Sequence, residues 1–306
     1  MIAGLARFVA RRIFASLIFV AIVAASAFAL TKLAPGDATS DLVAAGASSS
    51  EIARERTRLG LDQPVTEQAA HWALGVMRGD LGESSALGGP VRALVLAHTA
   101  ATAQLATLAL VLATLIGVPL GIANGAWPTH WLARLSTPVS LLLLSCPPMV
   151  AALGLMLLGA TTGWLSISPG AWLLPTLALA LPLAASLERL QVQAVRDVVD
   201  APDLLAAAAR GIPPARLIWV HVSRQSLRPV LGIYGVVIGS LFAGSFTVEV
   251  ITSWPGLGRL MYAALRGRDV ALVAGCALAG AACLAVGNLV ADVLRMLVDP
   301  RSQELG

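Results

Sequence analysis

Long apolar stretches separated by shorter polar ones make up most of this chain. A helix needs about 20 apolar residues to cross a bilayer, and its backbone must be hydrogen-bonded within the segment because lipid offers no partner. The pattern therefore predicts helices, and it lacks the alternating segments of about ten residues that build a membrane barrel. We predict spans at about residues 9–30, 99–123, 132–158, 171–187, 229–250 and 270–296.

The first apolar stretch also resembles a secretory signal peptide. Arginines precede it, and Ala27-Phe28-Ala29 has the small-x-small form of a cleavage site. The run from Ile13 to Leu30 is long for the apolar region of a signal peptide, and further apolar stretches follow it. We therefore interpret it as an uncleaved first span.

Polar segments between the predicted spans divide the chain into parts. Residues 31–98 predict a subdomain with helices at about 49–59 and 65–78, and residues 188–228 predict a loop. Residues 251–269 predict a turn-rich hairpin, because proline and glycine cluster there. The domains expected are a first transmembrane helix at 1–30, the subdomain at 31–98, and a transmembrane core at 99–306.

The composition makes lipid the main solvent of the chain. Only 12% of the residues are charged and 57% are hydrophobic, whereas a soluble domain carries about 25% charged residues.

Arginine and lysine are enriched on the cytoplasmic side of membrane proteins. Because the start of the chain and residues 188–228 are rich in arginine, we expect both termini and this loop in the cytoplasm, and residues 31–98 and 251–269 outside. The class predicted is an all-α polytopic membrane protein with six transmembrane helices.

A helix too short to cross the membrane is predicted inside the loop at 188–228. Asp200 is the expected N-cap, and Pro202 fits the first turn. Alanines fill residues 206–209 and have the highest helix propensity. Gly211 suits a left-handed C-cap, so the helix lies within 200–214.

This helix is marginal in water by itself, because isolated helices of about ten residues rarely hold together. It must dock on something, and Leu204, Leu205 and Ala208 are its expected apolar face. Two interpretations stay open from the residues alone. The helix either lies on the inner leaflet or under its own bundle, or it is a peg for a cytoplasmic partner.

No chemistry of its own is predicted for the chain. A P-loop needs Gly-Lys followed by Ser or Thr, but Lys32 is the only lysine and has no glycine loop beside it. Ion-coupled carriers place Asp, Glu or His inside the membrane, and we expect such residues only near the ends of the spans. Neither a G-x-S-x-G elbow nor an H-E-x-x-H helix occurs. The cysteines lie in apolar stretches without metal-site spacing, so we predict a chain that is not an enzyme and holds no cofactor or metal.

Several motifs in order resemble one family. Ala206-Ala207, three residues and then Gly211, with Pro229 eighteen positions later, is similar to the coupling motif in the permease subunits of ABC importers. The rest of the chain resembles the dipeptide/oligopeptide/nickel permeases, and its first span and outer domain resemble their "B"-type subunit. The segments that carry this resemblance are Ala34-Pro35-Gly36-Asp37, Leu59-Gly60-Leu61-Asp62-Gln63-Pro64, Gln68, Trp72, Gly79-Asp80-Leu81-Gly82 with Ser84, Trp254-Pro255-Gly256-Leu257-Gly258 and Asp299-Pro300-Arg301.

The resemblance implies a multi-pass subunit of the bacterial inner membrane that belongs to an ATP-driven, binding-protein-dependent importer of peptides or a related small solute. The implied partners are a second homologous permease, two cytoplasmic ATPase subunits or domains that carry ATP and Mg²⁺, an extracytoplasmic solute-binding protein and membrane lipid. The composition indicates no nucleic acid, because basic runs are missing. An alternative is a non-transporting membrane scaffold that anchors a cytoplasmic partner through the same helix.

The resemblance also assigns two sets of residues. The residues expected to couple the chain to an ATPase are Asp203, Leu204, Leu205, Ala206, Ala207, Arg210 and Gly211. The residues expected to face the binding protein in external loops are Asp62, Trp72, Asp80, Trp254, Pro255 and Gly256.

Overall fold

Helices build the part of the chain that the computed structural model describes, which is residues 2–33, 39, 43, 46–58 and 60–298. The all-α class is confirmed there, and the helices Ser49–Arg58 and Val65–Met77 match the two predicted in the subdomain. The motifs at 34–37 and 299–301, and Leu59, lie outside the described residues. In chain order the helices are α1 (Ile2–Leu33), α2 (Ser49–Arg58), α3 (Val65–Met77), α4 (Val91–Ala126), α5 (Trp131–Leu144), α6 (Pro148–Thr162), α7 (Leu173–Val198), α8 (Pro202–Ala209), α9 (Pro214–Arg216), a π-helix (Leu217–Val222), α10 (Ser223–Gly232), α11 (Tyr234–Thr252), α12 (Leu257–Arg266) and α13 (Val270–Val298).

Among the described helices, five are long and apolar enough to cross a membrane: α1, α4, α7, α11 and α13. The pair formed by α5 and α6 makes a sixth if it counts as one bent span. Each of the six predicted apolar segments therefore corresponds to a helix or a helix pair, which confirms a multi-pass membrane protein.

The third predicted span, 132–158, corresponds to two helices that meet at a sharp bend. Helix α5 ends at Leu144, α6 begins at Pro148, and the two axes differ by 111°. Pro147 and Pro148 lack the N–H group that a continuing helix would donate, so the hydrogen-bond ladder stops before them. Pro148 then occupies the start of α6, where a helix tolerates proline because its first N–H groups have no partner in any case.

The fourth predicted span, 171–187, ends too early. Helix α7 continues to Val198, so the loop expected from residue 188 begins as helix. Glu188 and Gln191 are buried in the fold, whereas Arg196 at the end of α7 is exposed. The polar composition of this stretch suggested a loop, but its buried positions recur at helical spacing. Glu188 therefore lies in the same helix as the predicted span that it follows.

The segments before and after the fifth span also differ from the prediction. The span itself is α11, which begins at Tyr234 rather than residue 229, because α10 ends at Gly232. The hairpin predicted at 251–269 contains the ten-residue helix α12. Its apolar residues Leu257, Leu260 and Ala264 are buried, and they recur at helical spacing within a segment rich in turn residues.

The chain divides into two compact units, and the first comprises residues 1–103 and 255–285. Its core lies where α12 and the first half of α13 pack against the start of α4 and the segment before it. Leu257 donates its backbone N–H to Thr102 Oγ1 at 2.7 Å, which joins α12 to α4 within this unit. The buried residues of the core are Leu81, Val91, Val95, Leu257, Leu260, Ala264, Leu272, Val273 and Cys276.

The second unit comprises residues 104–254 and 286–306. Helix α7 is its centre and packs against α5, α6, α10 and α11. Small residues on α4 let that helix approach α7 closely, because a Cβ atom at Gly117 would lie 2.4 Å from the carbonyl oxygen of Ala184. The cytoplasmic helix predicted within 200–214 belongs to this unit.

Candidate functional site

Helix α8 is the short helix predicted within 200–214, and the structure corrects its N-terminus. The N-cap residue is Ala201, with an extended backbone and no side-chain cap, so the prediction of Asp200 as N-cap is wrong. Pro202 occupies the first helical turn as predicted, and Asp203 is the acidic residue of that turn. A negative charge there is favourable beside the positive end of the helix dipole.

The C-terminus of α8 closes in a Schellman motif. Gly211 has a left-handed backbone, with φ of 83°, and it donates its N–H to the carbonyl of Ala208 at 2.9 Å. Ile212 donates its N–H to the carbonyl of Ala207 at 3.4 Å. These two bonds satisfy carbonyl groups that the end of a helix leaves without partners. The predicted glycine cap is therefore present.

One side of α8 is anchored to the second unit. Leu204 and Ala207 are buried, so the apolar face differs from the predicted set of Leu204, Leu205 and Ala208. Leu204 belongs to a cluster with Val118 and Ile122 of α4, Val195 of α7, and Ile218 and Val222 of the π-helix. Asp203 Oδ2 also accepts a hydrogen bond of 2.7 Å from Gln225 Nε2 of α10.

The other side of α8 is exposed and carries small side chains. Its residues are Leu205, Ala206, Ala208, Ala209 and Arg210. Leu205 is 56% exposed, so the surface holds one uncovered aliphatic side chain among alanines. Such a surface lets the backbone of a partner approach closely, with Arg210 as a charge at its end.

A π-helix follows α8 and contacts its buried side. Residues Leu217–Val222 form i→i+5 turns between α9 and α10, and Ser223 donates its hydroxyl to the carbonyl of Trp219 at 2.7 Å. π-Helical turns are rare and often occur at functional sites. The sequence gives no signal that distinguishes this stretch from an α-helix, and sequence reasoning missed it.

Asp269 organises the other candidate region, a corner of the first unit. Its Oδ2 atom accepts a hydrogen bond from the Ser84 hydroxyl at 2.6 Å and one from the Ala86 N–H at 3.1 Å. Its Oδ1 atom accepts the N–H of Leu272 at 2.9 Å, which caps α13. Asp269 is buried and was not among the predicted residues, although an aspartate just before an apolar run is a helix-start signal.

Five of the six predicted external residues belong to the first unit, and each has its own surroundings. Asp62 is paired with Arg56 at 3.0 Å, and Asp80 Oδ1 accepts the N–H of Gly82 at 2.9 Å. The Trp72 ring stacks on Phe28 with ring centroids 5.7 Å apart. Pro255 is exposed and Gly256 is the N-cap residue of α12. Trp254 is buried and belongs to the second unit.

Potential metal ligands do not cluster among the described residues of either region. Within the described residues, no group of three or more His, Cys, Asp or Glu side chains could hold a metal ion. The geometry at α8 is suited to mechanical contact, because a short helix with a closed C-terminus has one anchored face and one exposed face.

Comparison with known sequences identifies the family. Residues 117–304 match the family described as the binding-protein-dependent transport system inner membrane component. The chain belongs to this family of inner-membrane permeases. Residues 5–104 also match the N-terminal region of membrane components of such transport systems. The permease is therefore a multi-pass protein of the bacterial inner membrane and a member of the peptide and oligopeptide branch of ABC importers.

Individual relatives resemble the permease over nearly its whole length. It is 31% identical over 286 residues to the glutathione transport system permease protein GsiC of Salmonella typhimurium, an alignment that covers 91% of the permease and 93% of that protein. It is also 31% identical over 293 residues to a putative peptide transport system permease protein of Brucella abortus, with 92% and 93% covered. The resemblance deduced from the motifs is confirmed.

Proposed function

We propose that this permease is the translocation subunit of an ATP-driven importer for peptides or a related small solute such as glutathione. Separate ATPase subunits bind the exposed face of α8 and drive transport through it. The names of its relatives support the class of solute. The single observation that carries the coupling role is the two-sided environment of α8.

A movement of α8 would be transmitted to the rest of the second unit through the contacts of its buried side. Leu204 is 2% exposed and packs on α4, α7 and the π-helix. Burying a leucine side chain stabilises a contact by about 1.5–3 kcal/mol, so α8 and its cluster are expected to move together. The hydrogen bond from Gln225 to Asp203 joins the first turn of α8 to α10 as well.

In this proposal, the free energy for transport comes from ATP hydrolysis by the partner subunits. The one lysine, Lys32, lies in the last turn of α1, and the sequence contains no Gly-Lys pair for a P-loop. ATP and Mg²⁺ are therefore held by the partner ATPase subunits, and the permease itself carries no cofactor. We propose that the surfaces contributed by Asp62, Trp72, Asp80, Trp254, Pro255 and Gly256 face a solute-binding protein, and that a second permease completes the translocation path.

An uptake experiment tests the coupling role. Liposomes contain the permease, its second permease and its ATPase subunits, with the binding protein outside, and ATP-driven uptake of a labelled dipeptide or glutathione is measured. Ala208→Trp adds a bulky ring to the exposed face of α8 without entering the core, so we expect it to reduce ATPase binding and to lower uptake at least about tenfold. Ala208→Ser keeps the side chain small and is the matched control, with uptake near that of the wild type.

Two results would contradict the proposal in different ways. Full uptake by the Ala208→Trp assembly would show that α8 is not the coupling surface. ATPase binding by the wild type without ATP-driven uptake of either solute would support the scaffold alternative.

A further inference from the structure

A buried polar cluster lies inside the second unit, where α4, α5, α7 and α10 meet. We call it the Glu188 cluster, and its residues are Asn124, Ser136, Glu188, Gln191 and Ser226. Asn124 Nδ2 donates to Ser136 Oγ at 2.7 Å and to Glu188 Oε1 at 2.8 Å. Gln191 Nε2 donates to Ser226 Oγ at 2.7 Å. These bonds join the four helices through side chains alone.

Two acceptors of the Glu188 cluster have no donor among the described residues. They are Glu188 Oε2 and Gln191 Oε1. Glu188 is 1% exposed and Gln191 is 0% exposed, so both oxygens are withdrawn from solvent. Buried polar groups in folded proteins are nearly always hydrogen-bonded, and a buried acceptor that lacks a donor costs free energy. The two residues are three apart on α7 and therefore share one face.

The backbone of α4 lies too close to this face for any added side chain. A Cβ atom at Gly121 would lie 2.5 Å from Gln191 Cβ and 2.7 Å from the Glu188 carbonyl oxygen. The contact continues along the helix pair, since a Cβ atom at Gly125 would lie 2.7 Å from Val195 Cβ. We call this contact the α4–α7 joint. It is tightly packed, yet its polar centre is incompletely hydrogen-bonded.

The Glu188 cluster lies next to the residues that hold α8. Gln191 precedes Val195 by one helical turn on α7, and Ser226 follows Val222 by four residues. Val195 and Val222 both belong to the apolar cluster around Leu204. A displacement of α8 that moves this apolar cluster therefore reaches the α4–α7 joint within one turn of helix.

We propose that Glu188 is a positioning residue that allows helices α4 and α7 to change their packing at the α4–α7 joint. Its unpartnered oxygen raises the free energy of the packed arrangement, so that the joint can rearrange when α8 is moved. Strained arrangements persist where the surrounding structure holds them in place, and they cluster at switch regions; a buried polar group without a partner is one such reservoir of strain. This inference rests on the proposed coupling role of α8, but its first measurement is independent of that role.

Glu188→Gln supplies the missing donor. The glutamine oxygen still accepts from Asn124, and we expect the new N–H₂ group to donate to Gln191 Oε1, because the two residues share one face of α7. We expect the midpoint of thermal unfolding of the purified permease to rise by about 2–4 °C, the shift that one additional net hydrogen bond produces in a protein of this size. We expect ATP-driven uptake in the liposome assay to fall about fivefold, because a stabilised joint rearranges less often.

Two matched variants test whether the higher midpoint comes from the new hydrogen bond rather than from the loss of a carboxyl group. Asp197→Asn also replaces a carboxyl group of α7 by an amide, but Asp197 is exposed, so the unfolding midpoint and uptake should not change. Gln191→Met removes the acceptor at nearly constant side-chain volume. In that background Glu188→Gln should no longer raise the midpoint, which is the signature of direct coupling in a double-mutant cycle.

Each other outcome overturns the inference. A lower midpoint for Glu188→Gln would show that Glu188 Oε2 already has a donor in the membrane. A higher midpoint with unchanged uptake would show that the α4–α7 joint does not rearrange during transport. The coupling role itself fails separately, through full uptake by the Ala208→Trp assembly.

Discussion

Single glycines decide how closely the helices of each unit approach. On α13, a Cβ atom at Gly275 would lie 2.8 Å from Val91 Cγ1, in the core of the first unit. Val91 is fully buried, and the χ1 angle of valine is stiff, so this neighbour cannot move aside. Gly280, on the same helix, has Leu257 Cδ2 at 3.6 Å as its nearest contact, which is an ordinary packing distance.

Gly275→Ala should therefore destabilise the permease, whereas Gly280→Ala should not. Overpacking of a core costs about 1–3 kcal/mol, which corresponds to a midpoint of unfolding lowered by about 2–10 °C. Alanine at position 280 should leave the midpoint unchanged or raise it slightly, because alanine favours helix over glycine. Thermal unfolding of the two variants in detergent, followed by tryptophan fluorescence, measures the difference. Equal midpoints would show that the contact at Val91 does not limit packing.

At the scale of one element, the stability of α8 comes from its C-terminal cap and its buried side chains rather than from its length. An isolated helix of eight residues is too short to be stable in water. The Schellman motif closes its C-terminus, and the buried residues Leu204 and Ala207 hold it on the second unit. A Cβ atom at Gly211 would meet nothing within 4 Å, so the requirement for glycine there is conformational and not steric.

Gly211→Ala should loosen α8 by about 1 kcal/mol, because the left-handed backbone is unfavourable for a residue with a Cβ atom. Gly211→Asn should loosen it less, since asparagine adopts this conformation more readily. Hydrogen exchange of the α8 amides in the purified permease measures the effect, and we expect about fivefold faster exchange in the alanine variant. Identical rates in both variants and the wild type would contradict this role of Gly211.

For the whole molecule, the bent pair α5–α6 decides which side of the membrane α8 occupies. If the pair crosses the membrane as one span, residues 46–90 and α8 lie on opposite sides. If the pair enters and leaves on the same side, the number of crossings before α8 changes by one, and both regions share a side. The 111° bend is compatible with either path, but arginine enrichment around α8 favours the cytoplasmic side for it.

Cysteine labelling in intact cells distinguishes the two paths. The native cysteines Cys146, Cys276 and Cys283 are replaced, and a single cysteine is introduced by Ala53→Cys on α2 or Ala208→Cys on α8, both at exposed positions. We expect a membrane-impermeant maleimide to label position 53 in intact cells, and position 208 only after permeabilisation. Labelling of both positions from outside would place α8 with the subdomain and would contradict the coupling proposal.

Much of the architecture followed from local signals. Apolar length predicted where the spanning helices lie, and proline, alanine and glycine predicted α8 and its left-handed cap. The same reasoning misplaced features that depend on neighbours. Residues 188–198 were interpreted as loop because they are polar, yet Glu188 and Gln191 are buried by helices that are distant in sequence. Asp269 was missed because its partners Ser84 and Ala86 lie far away along the chain.

The sequence by itself determined that lipid surrounds most of this protein, roughly where its spanning helices lie, and that α8 ends in a glycine cap, because hydropathy, backbone restriction and capping act over a few residues. Only the tertiary structure decided which face of α8 is anchored, the angle between the helices on either side of Pro147 and Pro148, and the incomplete hydrogen bonding of a buried glutamate in the second unit. Those features depend on contacts between segments far apart in the chain, where burial and close packing outweigh the preferences of any single residue.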